Sequence, residues 1–186
     1  MGVLARFARS LALAILVALC VPEPPLSAQQ ALETDVKAAF LYNFTKFVDW
    51  PHPPAAAEPF RLCVVSDDAL RQSLERTIEG ENVNGRPLQS LVPRTPDEAR
   101  TCQLLFVGHA QGEREARLLS AVRDLPVLTV SDTNDFAARG GGIEFVRENN
   151  RLRFDVNVPG AERAGIKVSS RLLKVARRVH ESPKKK

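Results

Sequence analysis

Aromatic side chains are concentrated in one short segment, 34–51 (TDVKAAFLYNFTKFVDWP). Five of the eleven aromatic residues lie within eleven positions of it: Phe40, Tyr42, Phe44, Phe47 and Trp50. Val36, Phe40, Phe44 and Phe47 recur at helical spacing, which predicts an amphipathic helix with its apolar stripe on a core. Tyr42 is the exception, because it falls on the opposite, polar side. Pro51 disfavours a helical conformation at Trp50, so the helix is predicted to end there.

Downstream of this segment, short apolar runs alternate with helical patterns. The runs that predict strands are 60–65, 87–92, 104–107 and 127–130. Asp67 and Thr95 are placed to cap two helices, and a third helical pattern covers 113–122. Ile143–Val146 and Leu152–Val156 alternate apolar and polar residues around a turn, which predicts a hairpin. A last helix is predicted from Ala161 to Val179.

This alternation predicts one α/β domain. Its sheet is mostly parallel, is flanked by helices and is edged by one antiparallel hairpin towards the C-terminal side. The usual strand order of such sheets places the first of the predicted strands beside the third. A turn or short helix is expected over 132–138, before the glycines at 140–142.

The first 28 residues have the pattern of a secretory signal peptide. Arg6 and Arg9 precede the apolar run Leu11–Val21, and the segment ends on the small residue Ala28, near which cleavage is expected. A retained membrane anchor is one alternative. Lipidation at Cys20 is another, although Leu19 is larger than the residue that normally precedes a lipidated cysteine. Export through a cleaved signal peptide is therefore predicted, with the domain over 29–182 and a basic tail over 183–186.

Charge gives little indication of a partner. Without residues 1–28 the chain has 24 basic and 21 acidic residues, and three of the basic ones are the terminal Lys184–Lys186. A nearly neutral domain does not indicate a nucleic-acid-binding protein, and three terminal lysines provide at most a weak membrane-surface contact.

Export also changes the meaning of the cysteines. Cys20 is removed with the signal peptide, so that Cys63 and Cys102 are the two that remain. In an oxidising compartment an isolated pair favours a disulfide, and the predicted strand order brings the two close together. Two buried free thiols are the alternative. A metal site is not expected, because neither cysteine has a further ligand at a suitable spacing.

The patterns of common catalytic and cofactor sites are mostly absent. The glycines at 140–142 lack the spacing of a phosphate-binding loop, and the three histidines, His52, His109 and His180, are scattered. Ser66 and Asp67–Asp68 follow the first predicted strand, where open α/β sheets bind ligands, but helix capping explains the same aspartates. No enzyme activity, cofactor or metal is predicted from these residues.

Two segments resemble landmarks of a known family. The first is Val36–Phe44 (VKAAFLYNF) with its continuation to Pro51. The second is Asn157 and the run Ala164–Leu173 (AGIKVSSRLL) after it. Together with the strand at 60–65 and the turn Gly141–Ile143, they are similar to the YfiR family of bacterial periplasmic proteins, over about 31–179.

The resemblance implies a function that the residues alone do not give. YfiR-like proteins repress a membrane-bound diguanylate cyclase by binding its periplasmic sensor domain, which lowers cyclic-di-GMP synthesis and limits biofilm formation. The family is associated with redox sensing through disulfides, and Cys63 and Cys102 fall where one pair is expected. A second pair often found near the late hairpin is missing here. A redox response would therefore depend on Cys63–Cys102.

The leading hypothesis is thus a periplasmic binding regulator. Tyr42 and Trp50 are the candidate partner-binding residues, and a homodimer is a further possibility. A small-ligand sensor using the strand ends near Ser66 and Gly108 is the main alternative. A hydrolase would need Asp67, Asp68 and His109 to cluster.

Overall fold

An eight-stranded sheet organises the fold of the computed structural model. The structure describes residues 26–51, 55, 58–108 and 112–181, with side chains from residue 29 onwards. Two units are distinguished, Met1–Ala31 and Leu32–Lys186. The described part of the first is only the start of a helix, and the sheets belong to the second. The signal peptide before residue 26, the tail 183–186, His52 and His109 lie outside the described residues.

Six helices are present in the described residues. Their bounds are α1 Leu26–Lys46, α2 Asp68–Ile78, α3 Pro96–Arg100, α4 Gly112–Val122, α5 Val158–Arg163 and α6 Ser170–Val175. The predicted caps are confirmed, because Asp67 accepts a hydrogen bond from the Leu70 amide and Thr95 accepts one from the Glu98 amide. Local capping therefore sets the start of α2 and α3.

Ten strands accompany them. Their bounds are β1 Val48–Asp49, β2 Phe60–Val65, β3 Asn82–Val83, β4 Arg86–Leu91, β5 Leu104–Val107, β6 Leu128–Ser131, β7 Ile143–Glu148, β8 Arg151–Asn157, β9 Lys167–Val168 and β10 Arg178–His180. The large sheet has the order β10-β8-β7-β6-β5-β2-β4-β3, and β1 pairs with β9 in a separate antiparallel ribbon. β2 lies parallel between β4 and β5, as predicted.

The hairpin is confirmed, but it does not form the edge of the sheet. β7 and β8 pair antiparallel, with Phe145 opposite Phe154. β10 then pairs parallel to β8 and covers its other side. The fold is the predicted α/β class, a mostly parallel sheet with an antiparallel hairpin.

Alternation along the strands separates two hydrophobic layers. Leu62, Val64, Leu104 and Phe106 belong to the layer that contains residues of α1 and α2. Cys63, Val65, Leu105 and Val107 belong to the layer that contains residues of α3 and α4. Strands buried on both faces explain why β2 and β5 are continuous apolar runs in the sequence.

The prediction for the end of α1 was wrong. α1 ends at Lys46, four residues before Trp50, and the chain becomes extended so that Val48 pairs with Val168. The Ser169 amide also donates a hydrogen bond to the Phe47 carbonyl, at 2.9 Å. This pairing is with residues about 120 positions away, so the local sequence pattern does not reveal it.

The last predicted helix, Ala161–Val179, was also wrong. This stretch contains α5, β9, α6 and β10 instead. Gly165 has a φ of +71°, in the left-handed region, which stops α5. Ala176 is extended at the end of α6, and β10 gains ladder hydrogen bonds with β8. Two short helices with intervening strands therefore replace one long helix.

Candidate functional site

The two residues predicted to bind a partner are Tyr42, in the last turns of α1, and Trp50, four residues after the helix ends. Tyr42 was expected on the polar side of the helix, but its exposed fraction is 9%, and Thr45 is also buried. The Tyr42 hydroxyl hydrogen-bonds to a carboxylate oxygen of Glu81. The Lys46 ammonium lies over the Tyr42 ring, 3.9 Å from its centroid. Tyr42 thus mainly joins α1 to the turn after α2, because this side of the helix is also covered.

Trp50 is partly buried, and two contacts hold its ring system in place. Its indole Nε1 donates a hydrogen bond to the Gln103 carbonyl at 3.0 Å. The ring meets Phe60 edge-on, with centroids 4.8 Å apart. Lys46 and Asp49, which precede Trp50 closely in the sequence, are exposed. Trp50 is therefore held in one orientation and still presents part of its surface to solvent.

The apolar stripe of α1 packs where it was predicted to pack. Phe44 is fully buried, and Phe40 and Phe44 contact Phe145 and Phe154 of the hairpin at centroid distances of 5.2–5.9 Å. Lys37 adds an ion pair with Asp132, at 2.8 Å. The stripe is therefore part of the main hydrophobic layer.

Cys63 and Cys102 form the predicted disulfide. Their Cα atoms are 5.9 Å apart, and 39 positions separate them in the sequence. Cys63 is fully buried and Cys102 is 2% exposed, beneath α3 and α4. A reductant would reach these sulfur atoms only after this layer opens.

At the strand ends near Ser66, where the alternative hypothesis places a ligand site, the described aspartates make structural contacts. Asp67 is used as the N-cap of α2, with its oxygen 2.9 Å from the Leu70 amide. Asp68 forms an ion pair with Arg71, also at 2.9 Å. Gly108 lies close to Ser66, and its amide donates a hydrogen bond to the Val65 carbonyl at 2.8 Å. These contacts are those of helix capping and close packing.

A cleft of about 720 Å³ lies instead between α4 and the segment 133–141, with α5 at its end. Its apolar lining includes Leu119, Val127 and Phe136. Its charged lining residues are Glu115, Arg123, Asp124, Arg139 and Arg163. The volume is in the range of small-molecule sites. This cleft is not evident in the sequence, because its lining residues come from four separate segments.

The wall of the cleft formed by the loop 135–141 is held rigidly from behind. Glu144, which is buried, accepts hydrogen bonds from the amides of Asp135 and Ala137, at 3.0 and 3.1 Å. Asn157 donates to the Ala137 carbonyl at 2.7 Å and accepts from the Gly160 amide at 2.9 Å. Two buried polar side chains thus fix this loop on the sheet.

Glycines allow the backbone segments of this wall to approach one another. A Cβ atom on Gly141 would lie 2.2 Å from the Phe136 ring. A Cβ atom on Gly160 would lie 2.9 Å from the carbonyl oxygens of Gly140 and Gly141. Gly141, Asn157 and Ala164, which carry part of the family resemblance, therefore meet at one place in the fold.

The model of the YfiR/HmsC-like family matches residues 34–177. The chain belongs to this family. YfiR/HmsC-like proteins are periplasmic, non-catalytic regulators of the kind that acts on diguanylate cyclases. The match extends from α1 to the residue before β10 and so includes the disulfide, the Tyr42–Trp50 region and the cleft. Within the part of the chain that is described, no helix is long and apolar enough to cross a membrane.

Proposed function

We propose that this protein represses a membrane-bound diguanylate cyclase by binding its extracytoplasmic sensor region, and thereby limits cyclic-di-GMP synthesis and biofilm formation. The observation that carries the proposal is membership of the YfiR/HmsC-like family over residues 34–177. A preformed, disulfide-linked domain suits this role, because a binding repressor needs a stable surface.

The contact surface that we propose is the end of α1, with Trp50 as its anchor. A tryptophan that is already held by a hydrogen bond and a ring contact loses little conformational freedom on binding. Partly buried aromatic anchors are the usual centres of protein interfaces. Tyr42 has little exposed surface of its own and acts by positioning Lys46 above its ring.

The first test combines a deletion strain with complementation. Deletion should raise cyclic-di-GMP, and the wild-type gene should restore it, because the cyclase loses and regains its repressor. Lys46→Glu should fail to restore repression, since it reverses an exposed charge in the proposed surface. Lys174→Glu is the matched control, as Lys174 is exposed on α6.

Crosslinking and periplasmic pulldown complete this test. The wild-type protein should capture a membrane-bound cyclase, and the Lys46→Glu and Trp50→Ala variants should capture less of it at equal abundance. Unchanged cyclic-di-GMP in the deletion strain and no captured membrane protein would overturn the repressor proposal. Full repression by both variants would overturn only the proposed surface.

We further propose that the Cys63–Cys102 bond makes binding sensitive to redox conditions. Reduction would remove a constraint on a loop of about 40 residues and so lower the folded, binding-competent population. Burial of both sulfur atoms implies that this response is slow, since it requires the layer under α3 and α4 to open.

A second candidate function is that of a small-ligand sensor, and the cleft beside α4 favours it. The cleft has a rigid wall, an apolar lining and charged groups, which are the usual features of a ligand site. Sensor and repressor are compatible functions, because they use different surfaces of the domain. Homodimer formation remains an expectation that light scattering would test.

A further inference from the structure

We infer that the cleft beside α4 binds a small organic anion with an apolar body. The inference gives the candidate sensor function a site and a ligand class, and it does not depend on the cyclase. Apolar contact would come from Leu119, Val127 and Phe136 in the lining. Removing apolar ligand surface from water against such side chains is the main source of affinity.

The two walls of the cleft differ in charge. The lining contributed by residues 127–164 contains Arg139 and Arg163 and no acidic residue. The lining contributed by α4 and the turn after it contains Glu115, Arg123 and Asp124. An anionic group of the ligand therefore belongs beside Arg139 and Arg163, while its apolar part lies between Leu119 of α4 and the facing Val127 and Phe136.

Both arginines at this wall are available to an anion. Arg163 donates a hydrogen bond to the Gly140 carbonyl at 3.1 Å, which places its guanidinium at the cleft. Neither arginine forms an ion pair within the described part of the chain. Guanidinium groups bind carboxylate, sulfonate and phosphate oxygens through charge-assisted hydrogen bonds.

The wall is already in a binding-competent arrangement. Glu144 and Asn157 hold the loop 135–141, and the glycines at this wall are closely packed, with no room for a Cβ atom on Gly141 or Gly160. Ligand binding would need to order only the exposed arginine side chains. The cost of ordering is small compared with that of closing a flexible loop.

The test uses the purified mature protein and two fluorescent probes of similar shape. Anilinonaphthalene sulfonate carries an anionic group, whereas N-phenylnaphthylamine lacks it. We expect one molecule of anilinonaphthalene sulfonate (the sulfonate) to bind per chain. It should bind more tightly than N-phenylnaphthylamine (the amine). Arg139→Gln combined with Arg163→Gln should weaken sulfonate binding about tenfold and change amine binding less than about twofold. Arg151→Gln, an exposed arginine outside the cleft, is the charge control.

A second variant tests the location. Ala116 is exposed and lines the cleft, so Ala116→Trp should fill it and abolish binding of both probes. Arg117→Trp places the same ring on α4 outside the lining and should retain amine binding. Amide chemical shifts of Gly140, Gly141 and Gly160 should move on addition of the sulfonate.

Two results would overturn the inference. One is equal affinity for the two probes, because the arginines would then contribute nothing. The other is unchanged binding in folded Ala116→Trp with shifts confined to another part of the domain. Both measurements omit the cyclase, so neither result bears on the repressor proposal.

Discussion

Three polar side chains are buried on one face of the hairpin, and each has its own partner. Glu144 accepts hydrogen bonds from two backbone amides, and Asn157 bonds to Ala137 and Gly160. Asp155, with its side chain 3% exposed, pairs with Arg177 through two hydrogen bonds at 2.7 and 2.5 Å. The hydrogen bond with Asp155 raises the pKa of Arg177 above its ordinary value. The guanidinium therefore remains charged at neutral pH in both the folded and unfolded protein.

The Arg177–Asp155 pair leads to a prediction about stability. Arg177→Ala should lower the free energy of unfolding by about 3 kcal/mol, because it leaves a buried carboxylate without its counter-charge. Arg178→Ala, at an exposed neighbouring position, should change it by less than about 0.5 kcal/mol. Urea denaturation of the two variants measures the difference. Equal stabilities would show that Asp155 is adequately solvated without Arg177.

At the scale of elements, the segment after β8 is divided by its backbone conformation. Gly165 adopts a left-handed conformation between α5 and β9, and its Cβ position would be 3.3 Å from Pro51. The turn therefore returns the chain towards the end of α1, where β9 pairs with β1. Gly165 thus makes the first of the two breaks in what the apolar periodicity predicts to be one helix, and the extended Ala176 makes the second.

Substitution of Gly165 tests this role. Gly165→Ala should lower the free energy of unfolding by roughly 1–2 kcal/mol, since a Cβ atom disfavours the left-handed conformation. Gly165→Asn adds the same Cβ atom but tolerates this conformation better, so it should be less destabilising. Thermal melts of the pair separate the backbone contribution from the contact with Pro51. If Asn is as destabilising as Ala, contact with Pro51 is the dominant effect.

At the scale of the whole molecule, one covalent bond joins neighbouring parallel strands. Cys63 lies in β2, and Cys102 comes two residues before β5. The two strands also pair directly, with Cys63 opposite Leu105. The disulfide therefore reinforces the centre of the sheet.

Loss of this bond should be visible in the melting temperature. Reduction of the bond should lower the free energy of unfolding by about 4 kcal/mol in the chain-entropy model. For a domain of this size, that corresponds to a fall in Tm of about 10 °C. The variant with Cys63→Ala and Cys102→Ala should melt at the reduced value and be insensitive to reductant. A wild-type Tm that does not change after confirmed reduction of the thiols would contradict the prediction.

The features that were predictable from sequence depend on neighbours along the chain. Asp67 and Thr95 mark helix starts through their own side chains, and β2 and β5 are evident as apolar runs. Tyr42 was misassigned because Glu81, the residue that binds its hydroxyl, is 39 positions away. The cleft was not predicted for the same reason, because its lining residues, such as Leu119 and Arg163, come from different helices. Sequence reasoning thus gave the fold class and the disulfide, while these long-range contacts required the structure.

The position of the disulfide also bears on proteolysis. Residues 64–101, between the two cysteines, contain α2, β3, β4 and α3, and so include both strands that lie beyond β2 at one edge of the sheet. A protease that cuts the backbone once in this stretch produces two chains that remain joined through the sulfur atoms. Apart from the one water added by hydrolysis, the cut molecule keeps its mass until a reductant is added, and only then do the fragments separate. In an oxidising compartment, backbone cleavage here would nick the domain without dividing it.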